Sequence, residues 1–383
     1  MTDTPLESWL CMVRLKGIGA LTGNRILEAY GDPASYLDAT EADRAARGLP
    51  RVAVTAPRGR AAVEDGVAAD QRWAEAADCH IITLNDPRYP PPLARIADPP
   101  PVLFLRGDAE ALLAPQIAIV GARHASENGR RTAEEFAAHL SAAGLTITSG
   151  LALGIDTAAH EGALAVNGPT VAVMATGPDR VYPRENRGLA HAIGHCGAIV
   201  TEMPVGTPVT RGLFPRRNRL IAALSVGTVV IEAGRNSGAL GTAYRAIEAD
   251  REAMAVPGSI HNPVVKGCHA LIRAGARLVE SADQVIEEIA RAVEDFTPRV
   301  PASNNEDNTE TGHPASDWTA LDPQEIAVLE AMGHDPVAFD TLLRRASLTP
   351  DILSSILLKL ELSGDIAPCS GGYYMRTSNR AGG

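Results

Sequence analysis

Ile117-Ala-Ile-Val-Gly-Ala-Arg-His-Ala-Ser126 begins a stretch in which short apolar strands alternate with helical segments. Ile117–Val120 meets Gly121, a helical pattern runs over about 128–142, and Gly144 turns the chain into Thr146-Ile-Thr148. The alternation continues with Ser149-Gly150, a helix near 155–165, a strand at 170–174, a helix near 186–194 and a strand at 198–201. Further strands fall at 228–231, 253–256 and 277–279, separated by helices near 215–224, 238–250 and 264–274. Apolar strands joined by helices predict a parallel sheet covered on both faces. Residues 113–296 therefore read as α/β, a Rossmann-like doubly wound, mainly parallel sheet.

Outside this core the texture changes. Pro87, Pro90–Pro92 and Pro99–Pro101 forbid a long helix, so 76–112 is expected to be a proline-rich connector strapped onto its neighbour, with Ile81-Ile82 and Val102–Leu105 as short edge strands. Residues 1–75 predict a small helical domain. Within it Leu15-Lys-Gly-Ile-Gly-Ala20 suits a tight turn between two helices, either a helix-hairpin-helix holding a DNA phosphate on backbone N–H groups or plain helix packing. Residues 297–319, rich in Pro, Ser, Asn, Glu and Thr, predict a disordered linker. Beyond it, 320–378 predicts a winged helix, with Pro323, Pro336 and Pro350 at helix starts and Gly371-Gly372 turning a small hairpin.

The 383 residues carry a formal charge of −11, with 45% hydrophobic and 21% charged positions, which describes an ordinary soluble protein of two or three domains. Five dispersed cysteines, with no CxxC pair and no histidines at ligand spacing, imply a reduced cytoplasmic setting and no metal site. The amino terminus lacks the pattern of a signal peptide, and no apolar run approaches a membrane span. At 4% aromatic residues, a base-stacking surface has to use few rings or arginine planes.

Against that acidic background, no acid stands between Glu202 and Glu232, where Arg211, Arg216, Arg217 and Arg219 occur. Three arginines within Phe214-Pro-Arg-Arg-Asn-Arg-Leu-Ile221, with Asn218 among them, point to a polyanion more than to salt bridges. In open parallel sheets, ligands bind where strand ends meet helix starts. The loops expected there carry Gly121, Arg123 and Ser126; Ser149 and Gly150; Gly177 with nearby Arg184; and Ser237, Gly238 and Thr242. Together with Arg216, Arg217, Asn218 and Arg219 they predict a phosphate-binding edge.

Several chemistries are excluded or disfavoured. Gly121-Ala-Arg-His-Ala-Ser126 lacks the second and third glycines of a dinucleotide fingerprint, and no Walker lysine is present, so no nucleotide cofactor is expected. Asp156 and His160, at i and i+4, read as capping and packing before catalysis. Cys268 and His269 are sequence neighbours and point apart on a helix.

Ile119-Val-Gly-Ala-Arg123, Ser149-Gly-Leu-Ala-Leu-Gly-Ile-Asp-Thr-Ala-Ala-His160, Tyr182-Pro183 with Asn186, Phe214–Ile221, Glu232-Ala233, Ser237–Thr242 and Val256-Pro-Gly258 with Gly267 occur in one order over some 200 residues. Together they resemble the DNA-processing protein A (DprA or Smf) family. Tyr89-Pro90, Asp98-Pro-Pro100 and Leu103-Phe104 resemble its strap; the first and last domains resemble its sterile-alpha-motif-like and winged-helix extensions more loosely. The resemblance implies a non-enzymatic protein of natural transformation that binds and shields incoming single-stranded DNA and helps load RecA. It also implies a homodimer formed through the Rossmann-like domain. Arg123, Arg184, Arg217, Asn218 and Ser237-Gly238 are the DNA contacts it implies, Arg184 standing where relatives often have lysine.

Two competitors remain. Ser237–Thr242 is also similar to the loop of lysine-decarboxylase-like nucleotide phosphoribohydrolases, but the position of their glutamate falls on Arg245. A double-stranded DNA regulator would use Pro350–Leu362, whose single cation Lys359 is offset by Asp351 and Glu361; that domain reads as a protein-contact or architectural module.

Overall fold

In a computed structural model, the described residues are 6–294, 322–332, 337–346, 348–363, 365–369 and 373–376. The linker at 297–319, Pro336 and the Gly371-Gly372 turn lie outside the described residues. The chain divides into two compact units, one within residues 1–299 and one within 300–383.

The first unit is built on one sheet. Its strands are β1 (Cys79–Thr83), β2 (Val102–Gly107), β3 (Gln116–Gly121), β4 (Thr146–Ser149), β5 (Thr170–Val173), β6 (Ala198–Thr201), β7 (Gly227–Ile231), β8 (Glu252–Ala255) and β9 (Arg277–Leu278). They lie in the order β1-β2-β6-β5-β4-β3-β7-β8-β9. All pairings from β6 through β9 are parallel, and β2 joins β6 and β1 antiparallel. The proline-rich segment thus contributes two strands to the core sheet, β1 at its edge and β2 inside it.

Alternation along β3 shows how both faces are covered. Ile117 and Ile119 pack with Ala133, Phe136 and Leu140 of the helix Glu127–Ala142, while Ala118 and Val120 pack with Leu220, Leu224 and Ala243 on the other face. From β3 the chain runs outward through β4, β5 and β6, then returns to place β7 on the opposite flank of β3. The β3/β7 boundary is therefore a topological switch point, where adjacent loops diverge and leave a crevice at the carboxyl ends of the strands.

The helices α1 (Leu6–Arg14), α2 (Ala20–Tyr30), α3 (Pro33–Asp38), α5 (Arg51–Thr55) and α6 (Glu64–Trp73) contribute to an apolar cluster that includes Ile81, Val102 and Phe104 of β1 and β2, with α4 (Glu41–Ala46) following α3 in the chain. Buried Asp70 accepts hydrogen bonds from Arg14 Nε and Nη2 (2.5 and 2.6 Å) and from the Val205 amide (3.0 Å). The helical region is thereby tied to the loop after β6. After α7 (Pro91–Ala94), the core helices are α8 (Glu127–Ala142), α9 (Ile155–Ala165), α10 (Arg187–Cys196), α11 (Leu213–Leu224), α12 (Gly238–Glu248), α13 (Lys266–Arg273) and α14 (Ala282–Glu294).

The second unit has α15 (Pro323–Met332), α16 (Phe339–Ala346), α17 (Pro350–Leu362) and a sheet of β10 (Val337–Ala338), β12 (Tyr373–Arg376) and β11 (Ile366–Cys369), in that order. Leu329, Leu342, Leu353, Leu357 and Leu360 fill its core, a winged-helix arrangement. Lys359 on α17 pairs with Glu325 of the same unit, so the cation of the recognition-position helix is already engaged.

Candidate nucleic-acid interface

A cleft of about 690 Å³ opens at the switch point. It brings together Gly121, Arg123, Arg217, Asn218, Ser237, Gly238 and Thr242 from the predicted edge, and adds Asp156, Phe214 and Arg245. The close approach of β3 and β7 explains Gly121: a Cβ there would stand 1.9 Å from Ile231 O. Ala122 N–H donates to Glu232 O (2.7 Å), while the Glu232 carboxylate accepts from the Ser126 amide (2.7 Å) and from its hydroxyl. Ser126 Oγ in turn accepts from Gly129 N–H (3.0 Å), capping α8. Ser126 is therefore a fastener of the first loop, which corrects its expected place among groups facing an anion.

Arg123 leaves this loop exposed, its guanidinium 5.1 Å from the Phe214 ring centroid. Phe214 leans on Tyr182, with centroids 5.9 Å apart, and Tyr182 is 42% exposed. A cation over a ring and a second ring beside it form a surface on which planar bases can stack. Composition hides this pair: with so few aromatics, neither ring stands out in the sequence as a contact, although both lie inside the motifs at 182 and 214.

The loop after β4 is held from below. Ser149 is buried and donates to Ile119 O (2.6 Å), so its hydroxyl does not reach the cleft. Asp156 accepts from the Gly150 and Ala152 amides (3.1 and 3.4 Å), and buried Asn186 donates to Leu151 O (2.9 Å) and Thr157 Oγ1 (2.8 Å). Arg217, 5% exposed, donates to Gly150 O and, at 2.8 Å, to Val173 O; a Cβ on Gly150 would collide with its guanidinium. Burial pushes the Asp156 carboxyl up, a rise opposed by the positive charge of Arg217 and by the loop amides. Arg217 is thus a charge under the floor of the cleft rather than a solvated ligand. Its Nε donates to Asn218 Oδ1 (3.1 Å), and Asn218 Nδ2 donates to Gly238 O (3.2 Å), linking α11 to the first turn of α12.

The arginine island has a different use from the one expected. Arg219 is buried and pairs with Glu202 (2.6 Å) and Asp98 (3.2 Å), and exposed Arg216 lies 3.6 Å from Glu202. The salt-bridge reading holds for Arg219, and neither it nor Arg216 lines the cleft. Glu202, which bounded the acid-free stretch in sequence, folds back to neutralise it. Arg211 is exposed.

The far wall is the start of α12. Ser237 Oγ accepts from the Ala239 amide (3.3 Å), Thr242 is buried at the wall, and a Cβ on Gly238 or Gly241 would meet nothing within 4 Å. That open helix start places partial positive charge on the cleft. Exposed Arg245 adds another cation and pairs with Glu248 (2.6 Å). Among the described lining residues the carboxylate is Asp156, which is buried and held by backbone amides. Arg184 lies apart from this cleft, in a depression of about 590 Å³ with Arg106, Arg180, Arg187 and His191.

His160 is a core group. Thr170 donates its hydroxyl hydrogen to Ile147 O (2.6 Å), so His160 Nδ1 must donate to Thr170 Oγ1 at 2.7 Å, leaving buried Nε2 without a partner. Burial lowers its pKa to about 3. Burial raises the Cys268 thiol to about 11, while half-buried His269 contacts Gly258 O, so the two do not act as a pair. Among the described residues no three His, Cys, Asp or Glu side chains are grouped to hold a metal, and no helix is long and apolar enough to cross a membrane.

Residues 80–290 match the family described as DNA recombination-mediator protein A, and 313–372 match the DprA winged helix domain. The chain is 35% identical over 382 residues to Protein Smf of Escherichia coli (strain K12), covering 97% of this chain and 96% of the relative. It is 40% identical over 227 residues to DNA processing protein DprA of Streptococcus pneumoniae, covering 57% and 80%. The X-ray structure of S. pneumoniae DprA matches with a TM-score of 0.66 and 34% identity over 75% of this chain and 99% of that one. A Helicobacter pylori DNA processing protein A, whose structure describes its single-stranded DNA binding mode, matches with a TM-score of 0.51 and 27% identity over 56% and 97%.

Proposed function

This chain belongs to the DNA recombination-mediator protein A family, and we propose that it binds single-stranded DNA in the switch-point cleft without breaking a bond in it. The observation that carries this reading is the cleft's asymmetry: exposed Arg123 and Arg245 and an open helix start face solvent, while its carboxylate, Asp156, is buried and bonded to the loop amides. Phosphates bind Arg123, Arg245 and the amides at Gly238, and bases stack on Tyr182 and Phe214. Buried Arg217 raises the local potential from beneath. Arg184, in the neighbouring depression, takes phosphates beyond Tyr182. Ring faces accept any base, so sequence preference is slight.

A phosphoribohydrolase needs a carboxylate free to work at the sugar. Arg245 stands where that glutamate is required, and Asp156 is committed to the loop.

In this reading the protein acts in the cytoplasm during natural transformation, shields the incoming strand and passes it to RecA. It works as a homodimer through the Rossmann-like domain, for which Ile247 on α12 and Leu278 on edge strand β9 are exposed apolar side chains. The test is fluorescence anisotropy with single- and double-stranded oligonucleotides across a salt series. Affinity should fall steeply with salt, favour single strands, and in Arg123→Ala lose about one unit of salt slope. Equal affinity for both strand forms, or an unchanged slope in that variant, overturns the placement.

A further inference from the structure

We propose that the depression beside α10 is a second seat for the strand, in which a base lies over an apolar floor while Arg184 and Arg187 hold the phosphates that flank it, an inference that rests on the reading above. Tyr182 joins the two places. Its chain neighbours Val181 and Arg184 line the depression, while its ring leans on Phe214, which lines the switch-point cleft. A strand stacked on that ring pair therefore has the depression next in its path.

The depression, about 590 Å³, holds two kinds of arginine. Arg180 pairs with Asp179 (2.6 Å) and Arg106 with Asp78 (2.7 Å), so their charges are answered within the protein. Arg184 and Arg187 are exposed, and among the described residues neither guanidinium has an ion pair or a hydrogen bond. The lining carboxylate does not quench them, because Asp179 is held by Arg180 and by the Gly206 amide (2.8 Å). Helix α10 carries no acid, and Arg187 and His191, four residues apart, share its exposed face.

The floor decides what kind of anion fits. Met174, Val181, Ala190 and Ile199 lie beneath the two free cations, part of the apolar packing between α10 and strands β5 and β6. A bare inorganic anion would use the guanidinium groups and leave that floor wet. A nucleotide uses both, since its phosphates take arginine forks and its base covers apolar surface beside the His191 ring.

The experiment is anisotropy on the full chain with an oligothymidylate of about twenty nucleotides, longer than ordinary single-strand site sizes. Arg187→Ala, an exposed position, should weaken binding by about three- to tenfold and lower the salt slope by about one unit. In the parent chain, photoreactive 4-thiothymidine placed singly along the same oligonucleotide should crosslink to His191 or Val181 as well as to Tyr182 or Phe214, as mapped by mass spectrometry. Unchanged affinity and slope in Arg187→Ala overturn the seat, and so do adducts confined to Tyr182 and Phe214. Arg123→Ala run alongside separates the two ideas: if it weakens binding while Arg187→Ala does not, the seat fails and the main groove stands. If Arg187→Ala weakens binding and Arg123→Ala does not, the strand lies on α10 and the groove itself fails.

Discussion

Replacing Arg217 by Ala distinguishes a charge that supports the groove from one that grips a ligand. The substitution removes donors from Gly150 O and Val173 O, both inside the protein, and takes away the cation that opposes the burial-raised pKa of Asp156. Hydrogen bonds from a charged donor are worth about 1.5–3 kcal/mol each, and breaking a buried charge arrangement by deleting one side costs about 3–5 kcal/mol. The two figures describe overlapping interactions, so the expected loss is about 3–5 kcal/mol, or roughly 6–20 °C in Tm. The loss should depend on pH. Without Arg217, the folded-state pKa of Asp156 rises further above its unfolded value. Between those two values the native state binds more protons than the unfolded state, so the variant's stability falls as pH rises through that window. Its deficit should therefore shrink as pH is lowered toward about 4, the range of an unfolded aspartate. Urea unfolding followed by circular dichroism at several pH values measures both effects, with anisotropy run on the folded fraction. A variant as stable as the parent, with its salt slope reduced by one unit, would show a solvated phosphate ligand and refute the assignment.

His160 gives a second pH signature of opposite sign. Its folded pKa of about 3 lies below the ordinary value of 6.5, so its contribution is present above pH 6.5 and is lost as pH falls towards 3. Stability should decline on that side by up to about 1.4 kcal/mol per pH unit, and His160→Gln should flatten the decline in a urea-unfolding series. Tyr182→Ala and Phe214→Ala should each weaken single-stranded DNA binding by about 1–3 kcal/mol, roughly 5- to 150-fold, with the salt slope unchanged because no charge is removed. Parent-like affinity in both variants would dismiss the ring pair as a base platform.

Local pattern and tertiary partnership separate what was legible in sequence from what was not. The alternating strands between Ile117 and Leu278 are visible because a strand buried on both faces has to be apolar along its length. Their positions also place the loops after β3 and β7 at carboxyl ends. Whether those strands flank a switch point depends on sheet order, which periodicity does not encode. The arginines mark the same boundary more sharply. Arg216, Arg217 and Arg219 occupy one turn of α11, yet that helix aims Arg217 under the cleft and Arg219 towards Asp98 and Glu202. Three equal charges thus acquire different uses from a rotation of about 100° per residue and from partners far along the chain. Ser126 follows the same logic, since its acceptor Glu232 is 106 residues away. A local excess of positive charge therefore identifies a helix that meets anions, and which of its arginines meets solvent is decided by what the neighbouring strands bring beneath it.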